Sequence, residues 1–142
     1  MNDVAHDRNQ AFNRVPFMHL LGVRREFSHD GRARLVVDAK PELENLIHAM
    51  HGGVVATLVD VVMASAAVSM IDFTRTAVTL NLNTSYLQPG RGRLTADGEV
   101  LATNDEVVQC QAVVTDESGR IVARAVGSFR YLDPPIEHLP KA

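Results

Sequence analysis

Tryptophan is absent from this 142-residue chain, and cysteine occurs once, as Cys110. A single thiol excludes an intrachain disulfide and any zinc cage built on cysteines, and it fits a reducing compartment. Neither sign of charge prevails. Fourteen Lys and Arg stand against 17 Asp and Glu, and the net −3 offers no general attraction to nucleic acid or an anionic bilayer. A phosphate-bearing ligand would need a local basic patch. The opening MNDVAHDRNQAF lacks the basic-then-apolar order of a signal peptide, so the expected location is cytoplasmic. The chain also lacks a P-loop, a dinucleotide fingerprint and the G-x-S-x-G context of a serine nucleophile.

Long apolar runs are nearly absent too. The exception, Val54 to Ile71, is 18 residues long and approaches the length of a membrane span. It is rich in alanine, carries Thr57, Ser65 and Ser69, and holds Asp60 near its middle. A central Asp costs roughly 2.5–3.5 kcal/mol on insertion into a bilayer. The run therefore reads as the buried helix of a soluble protein.

Around it the pattern is mostly strand. A short helix is expected over Asp7 to Arg14. A hairpin follows, Leu20 to Phe27 and Arg32 to Ala39, turning at Asp30-Gly31. Lys40 to His48 is a loop, and the long helix runs from about His51 to Ser69 behind a Gly-Gly pair. Four strands then fit Thr76 to Tyr86, Leu94 to Thr103, Val107 to Thr115 and Arg120 to Tyr131, ahead of a loose tail after Pro134-Pro135. In the first of these, Val78, Leu80 and Leu82 alternate with Thr79, Asn81 and Asn83, which predicts one apolar and one polar face. Cys110 falls on an apolar strand face and reads as core. Strands in sequence with one helix between them indicate an α+β domain with an antiparallel sheet. One domain is expected over 1–142, with its core at about 17–131. The helix is apolar around most of its girth, so the sheet must curl about it or a second subunit must close over it.

Asp60 is the residue that this packing does not explain. A carboxylate among Val59, Val61 and Val62 is either a buried acid paired with an internal donor or an acid facing a pocket. Thr57 and Ala64, at i−3 and i+4, leave space beside it. At the mouth of the same helix stands His51-Gly52-Gly53. The first amides of a helix have no internal acceptor and carry partial positive charge. Glycine lets a foreign oxygen approach them, as an oxyanion hole requires, although a Gly-Gly pair also serves a tight turn. Gly52 and Asp60 lie eight residues apart, about 12 Å along a helix. One carbonyl cannot touch both, so two copies of the chain must share the site if both residues act on one bond.

The run from Asn45 to Gly53 (NLIHAMHGG), followed by Leu58-Val59-Asp60, resembles the signature of the PaaI-like (phenylacetyl-CoA thioesterase-type) branch of hotdog thioesterases. Thr79 to Pro89 resembles the family's strand after the helix, and Gly119 to Phe129 its last strand. The likeness covers roughly Phe17 to Arg130. It implies the hotdog fold, a curved antiparallel sheet of about six strands wrapped round one long helix. It implies a homodimer that forms the active site, commonly paired again into a homotetramer, and an acyl-CoA substrate hydrolysed to free acid and CoA. No metal or separate cofactor is implied, CoA being part of the substrate. By the same resemblance Asp60 is general base or nucleophile, the Gly52 amide polarises the carbonyl, Asn45 positions water or thioester, and Thr79 holds the water or Asp60. His51 shapes the loop by hydrogen bonding, with Gly53 beside it at the substrate. Where some relatives carry a hydroxyl one turn after the acid, this chain has Ala64, which places more weight on Thr79. Thiolate leaves readily, so a polarised carbonyl and one aimed water or carboxylate are sufficient.

Arg91 and Arg93, in the glycine-loosened turn Gln88 to Arg93, are either CoA phosphate contacts or solvated turn residues. His48 and His51 have H-x-x-H spacing, but no motif supplies a third metal ligand. A hotdog hydratase or dehydratase would need a catalytic histidine with its acid, and none lies between His51 and His138. A non-catalytic acyl-CoA-binding module would use the same pocket with an output domain, for which the stretch before Phe17 is too short.

Overall fold

The computed structural model describes residues 3–133. Helices α1 (Asp3–Asn13) and α2 (Pro16–Leu21) precede the hairpin β1 (Arg24–His29) and β2 (Arg32–Val37). A 3-10 turn, Pro41–Leu43, leads to α3 (Gly52–Ser69), and β3 (Thr76–Tyr86), β4 (Leu94–Thr103), β5 (Val107–Thr115) and β6 (Ile121–Leu132) complete the chain. The strands form one antiparallel sheet in the order β1-β2-β4-β5-β6-β3. Helix α3 lies against all six. The expected tail after Pro134 falls outside the described residues.

Two expectations are corrected. Leu20 and Leu21 do not begin a strand. Pro16 sits at the first position of α2, where its missing N–H costs nothing, and Gly22 closes the helix at φ 76°, donating to the His19 and Met18 carbonyls. The first strand therefore starts at Arg24. The second correction concerns β3. Its register against β6 slips between Thr79 and Asn81, a β-bulge at Leu80. Thr79 stands opposite the fully buried Phe129, whereas Leu82, not Asn81, stands opposite Gly127. Paired residues share a face, so Ala77, Thr79, Leu82, Thr84 and Tyr86 turn toward α3. Val78 turns the other way, and the apolar trio is split.

The core is the cleft between α3 and the sheet. Leu58, Val59, Val62, Met63, Ala66 and Ala67 of α3 are fully buried against Leu35, Leu94, Val108, Cys110 and Phe129. This helix alone among the described residues is long and apolar enough to cross a membrane, and its cover is the sheet. Strand β4 lies close enough that a Cβ at Gly98 would come within 2.9 Å of the Val62 carbonyl oxygen, which is why glycine occupies that register. Burial pushes the Cys110 thiol up to about 12, leaving it a packing residue.

Candidate active site

The sheet does not cover α3 completely. Thr57, Asp60, Val61, Ala64 and Val68 are only half-buried and form a stripe down the helix. Asp60 lies in this stripe, neither sealed in the core nor fully in solvent. Thr79 reaches it from β3, its Oγ1 donating to Asp60 Oδ1 at 2.6 Å. Among the described residues no cation pairs with Asp60. The carboxylate is oriented by one neutral donor, and its charge is not cancelled.

At the N-terminus of α3, the His51 Nδ1 accepts from the Gly53 amide at 2.8 Å, an unusual cap that places the ring proton on Nε2. The Val54 and Val55 amides both donate to the His51 carbonyl. Of these first amides, the Gly52 N–H has no acceptor among the described residues. The two glycines answer to different constraints. A Cβ at Gly53 would come within 3.0 Å of His51 Nδ1 and crowd the cap, whereas one at Gly52 would meet only Tyr86 Cε1, at an ordinary 3.6 Å. The fold of this chain asks for glycine at 53. At 52 the open space is left for something else.

The segment carrying this amide is held rigidly. The His51 amide donates to the Leu43 carbonyl, Met50 to Gly90, and Asn45 to Ala49. Asn45 Oδ1 accepts from the Ile47 and Ala49 amides, both at 3.1 Å, and so organises its own loop with one end of its carboxamide. Its Nδ2 donates to none of the described residues. His48 adopts φ 59° at the tip, where Arg91 Nη1 donates to the Ile47 and His48 carbonyls at 3.0 and 2.8 Å. The result displays Leu46, which is 100% exposed, and Ile47.

Thr79 and Asp60 are thus brought together, and Asn45, His51, Gly52, Gly53 and Arg91 belong to one braced loop and helix end. Arg93 belongs elsewhere. Its Nε donates to Asp38 at 2.8 Å, with Arg24 on the other carboxylate oxygen. The Arg93 hydrogen bond, aided by Arg24, holds the Asp38 carboxyl below the usual carboxylate range. His48 and His51 engage different partners, Glu44 and the Gly53 amide. A depression of about 250 Å³ flanks the helix end between Phe17, Leu21, Leu43, Val54, His51 and Thr57. A larger one, about 650 Å³, lies on the sheet face turned away from α3 among Arg32, Arg34, Asp97 and Arg124, remote from Asp60.

Residues 48–123 match the model of the thioesterase superfamily. The chain is 34% identical over 126 residues to a candidate esterase of Halobacterium salinarum, covering 80% of this chain and 82% of that one. The chain belongs to the thioesterase superfamily. Its fold is the hotdog. A conserved protein of Pseudomonas aeruginosa, PA5202, superposes with a TM-score of 0.78 at 28% identity, over 82% of this chain and 94% of that one. The Escherichia coli PaaI protein, from the phenylacetic acid degradation operon, superposes with a TM-score of 0.80 over 89% and 91%, its 19% identity speaking for the fold alone. In this superfamily member, residue type alone makes Met63, Met70, Phe73 and Tyr86 equally suited to line a pocket or to pack in the core, yet Met63 is core, and Phe73 packs beneath the guanidinium groups of Arg8 and Arg25. Only Tyr86 reaches the site, its hydroxyl donating to the Gly52 carbonyl at 3.2 Å.

Proposed function

We propose that this protein hydrolyses an acyl-CoA thioester to the free acid and CoA, at a site shared by two copies of the chain. The observation that carries this reading is the Asp60 carboxylate, half-buried on the uncovered stripe of a core helix, held through one oxygen by Thr79 and unpaired with any cation of the described residues.

The thioester oxygen accepts from the Gly52 N–H of one protomer. Asp60 of the other either takes the proton of a water that attacks the carbonyl carbon or attacks it through Oδ2, giving an acyl anhydride that water then hydrolyses to the free acid. Thr79 leaves Oδ2 free for this by occupying Oδ1. CoA departs as thiolate. The Asn45 Nδ2 faces the same task as the Gly52 amide, a donor on the braced loop. Arg91 carries no ion pair among the described residues and is the better of the two turn arginines for a CoA phosphate, since Asp38 already neutralises Arg93.

Support for the second copy comes from β3. Among the described residues it is an edge strand with an unpaired row of backbone groups, and Val78, Leu80 and Tyr86 along it are 41%, 52% and 55% exposed. Such an edge calls for pairing or cover. Two β3 strands joined edge to edge continue the sheet and bury the stripe of α3, and two such dimers complete a tetramer of the kind the family resemblance implies.

The test is a panel of aryl, phenylacetyl and medium-chain CoA thioesters read by free-thiol release, with the wild-type protein and Asp60→Asn. Wild-type turnover with a loss of about three orders of magnitude in kcat for the variant, and an unchanged melting curve, is the expected result. Undiminished turnover by Asp60→Asn would remove the carboxylate from the chemistry.

A further inference from the structure

Thr79 and Tyr86 lie seven positions apart in one strand. In a regular strand, side chains an odd number of residues apart point to opposite faces. Here both meet α3: Thr79 donates to the Asp60 carboxylate and Tyr86 to the Gly52 carbonyl. The bulge at Leu80 makes this possible, because one extra residue exchanges the faces beyond it. Thr79 sits opposite Phe129 before the slip, and Tyr86 sits opposite Ala123 after it, both partners buried on the helix side. Without the bulge, Asn81, Asn83 and Ser85 would face the helix, and Tyr86 would point away.

The atom Tyr86 holds is informative. The Gly52 carbonyl and the Gly53 amide are two ends of one peptide plane. Tyr86 binds the carbonyl end at 3.2 Å and His51 Nδ1 the amide end at 2.8 Å. That plane follows directly on the Gly52 N–H, the donor with no acceptor among the described residues. That N–H itself lies in the His51–Gly52 peptide plane, whose carbonyl accepts from the Val54 and Val55 amides. The two planes meet at the soft torsions of Gly52, which need a restraint on the second plane to fix the approach to the donor. The His51 ring and the Tyr86 hydroxyl supply that restraint. The Tyr86 ring also lies over Gly52, with Cε1 at 3.6 Å from where a Cβ would stand, and thereby closes one side of the approach to the amide.

We infer that Tyr86 is a positioning residue of the catalytic site. It clamps the Gly52–Gly53 peptide so that the approach of the substrate oxygen to the Gly52 amide is fixed, and the Leu80 bulge exists so that one strand can set both the acid and the oxyanion donor. This inference rests on the thioesterase reading above for its kinetic consequence, but the clamp itself is a property of the peptide. Preorganised donors accelerate the chemical step more than they tighten ground-state binding.

The experiment uses Tyr86→Phe, which keeps the ring and removes only the donor. Two measurements are made on the full chain: steady-state hydrolysis of the best CoA thioester in the panel, and hydrogen exchange of the Gly53 amide by NMR. The expected outcome is a fall of about tenfold in kcat, KM within about twofold, an unchanged melting curve, and Gly53 exchange faster by about tenfold. A wild-type kcat overturns the inference. So does a reduced kcat with unaltered Gly53 exchange, since the hydroxyl would then act on substrate and not through the peptide. If the wild-type protein cleaves no thioester, the proposed reaction falls, and the exchange measurement alone decides the clamp: faster exchange upholds it and unchanged exchange refutes it.

Discussion

Gly52 and Gly53 are adjacent and chemically identical, yet the structure separates their duties. Gly53 is bound to the fold by its own amide, which His51 caps, and by the 3.0 Å approach of that ring. Gly52 is bound through its amide to none of the described residues. Substituting Gly52 with proline is a sharp probe of this difference. Proline is favoured at the first position of a helix, and His51, with φ −58° and ψ 138°, already has the extended backbone that a following proline demands. The expected result for Gly52→Pro is an unchanged melting temperature with kcat lowered about 10²–10³-fold, as for loss of an oxyanion donor. Gly53→Ala should do the reverse in kind, costing about 1 kcal/mol of stability through the disturbed cap. Calorimetry and steady-state kinetics on the pair check both.

At the scale of elements, the hairpins set register, and one turn does so through a charge. Asp116, between β5 and β6, has its carboxylate almost wholly enclosed. Its Oδ1 accepts from the Ser118 hydroxyl and from the Ser118 and Arg120 amides, while Arg120 meets Oδ2 at 3.3 Å. Burial pushes this carboxyl up, but the hydroxyl, the two amides and the guanidinium together outweigh it and hold it below the usual carboxylate range. A depressed acid stabilises the fold above its unfolded value, and that contribution is lost as pH falls through the folded one. Asp116→Ala should therefore lower stability near neutrality by about 1–2 kcal/mol and weaken its further decline below about pH 4. Urea titrations of both proteins between neutral and acid pH would show the two curves converging at low pH. Parallel curves would mean that the carboxylate has no part in the acid limb.

On the proposed reading the whole molecule presents two half-sites. About 12 Å of helix separates Gly52 from Asp60, and the stripe between them is open. The proposed sharing makes a prediction that no single variant can supply. Asp60→Asn retains the amide, Gly52→Pro retains the acid, and each is expected to be nearly inactive alone. Co-refolded in equal amounts, half the dimers are mixed, and each mixed dimer regains one of its two sites, so activity should return to about a quarter of wild type. No recovery on mixing, with mixed dimers present by mass spectrometry, would place both groups on one chain.

Much of this was legible in the sequence because it depends on local rules. The Val54 to Ile71 run, the Asp30-Gly31 hairpin and the limits of β3, β4 and β5 follow from hydrophobic period and turn chemistry, and Asp60 stood out because valines surround it. The faces of β3 did not follow. Alternation is blind to one unpaired residue, and the bulge at Leu80 is decided by pairing with β6, some fifty positions away. Nor did residue type and spacing distinguish Gly52 from Gly53, which only the family resemblance told apart, or Tyr86 from Phe73. Those differences are set by which side chain stands across from each backbone atom, and only the closing of the sheet about the helix brings those atoms within reach.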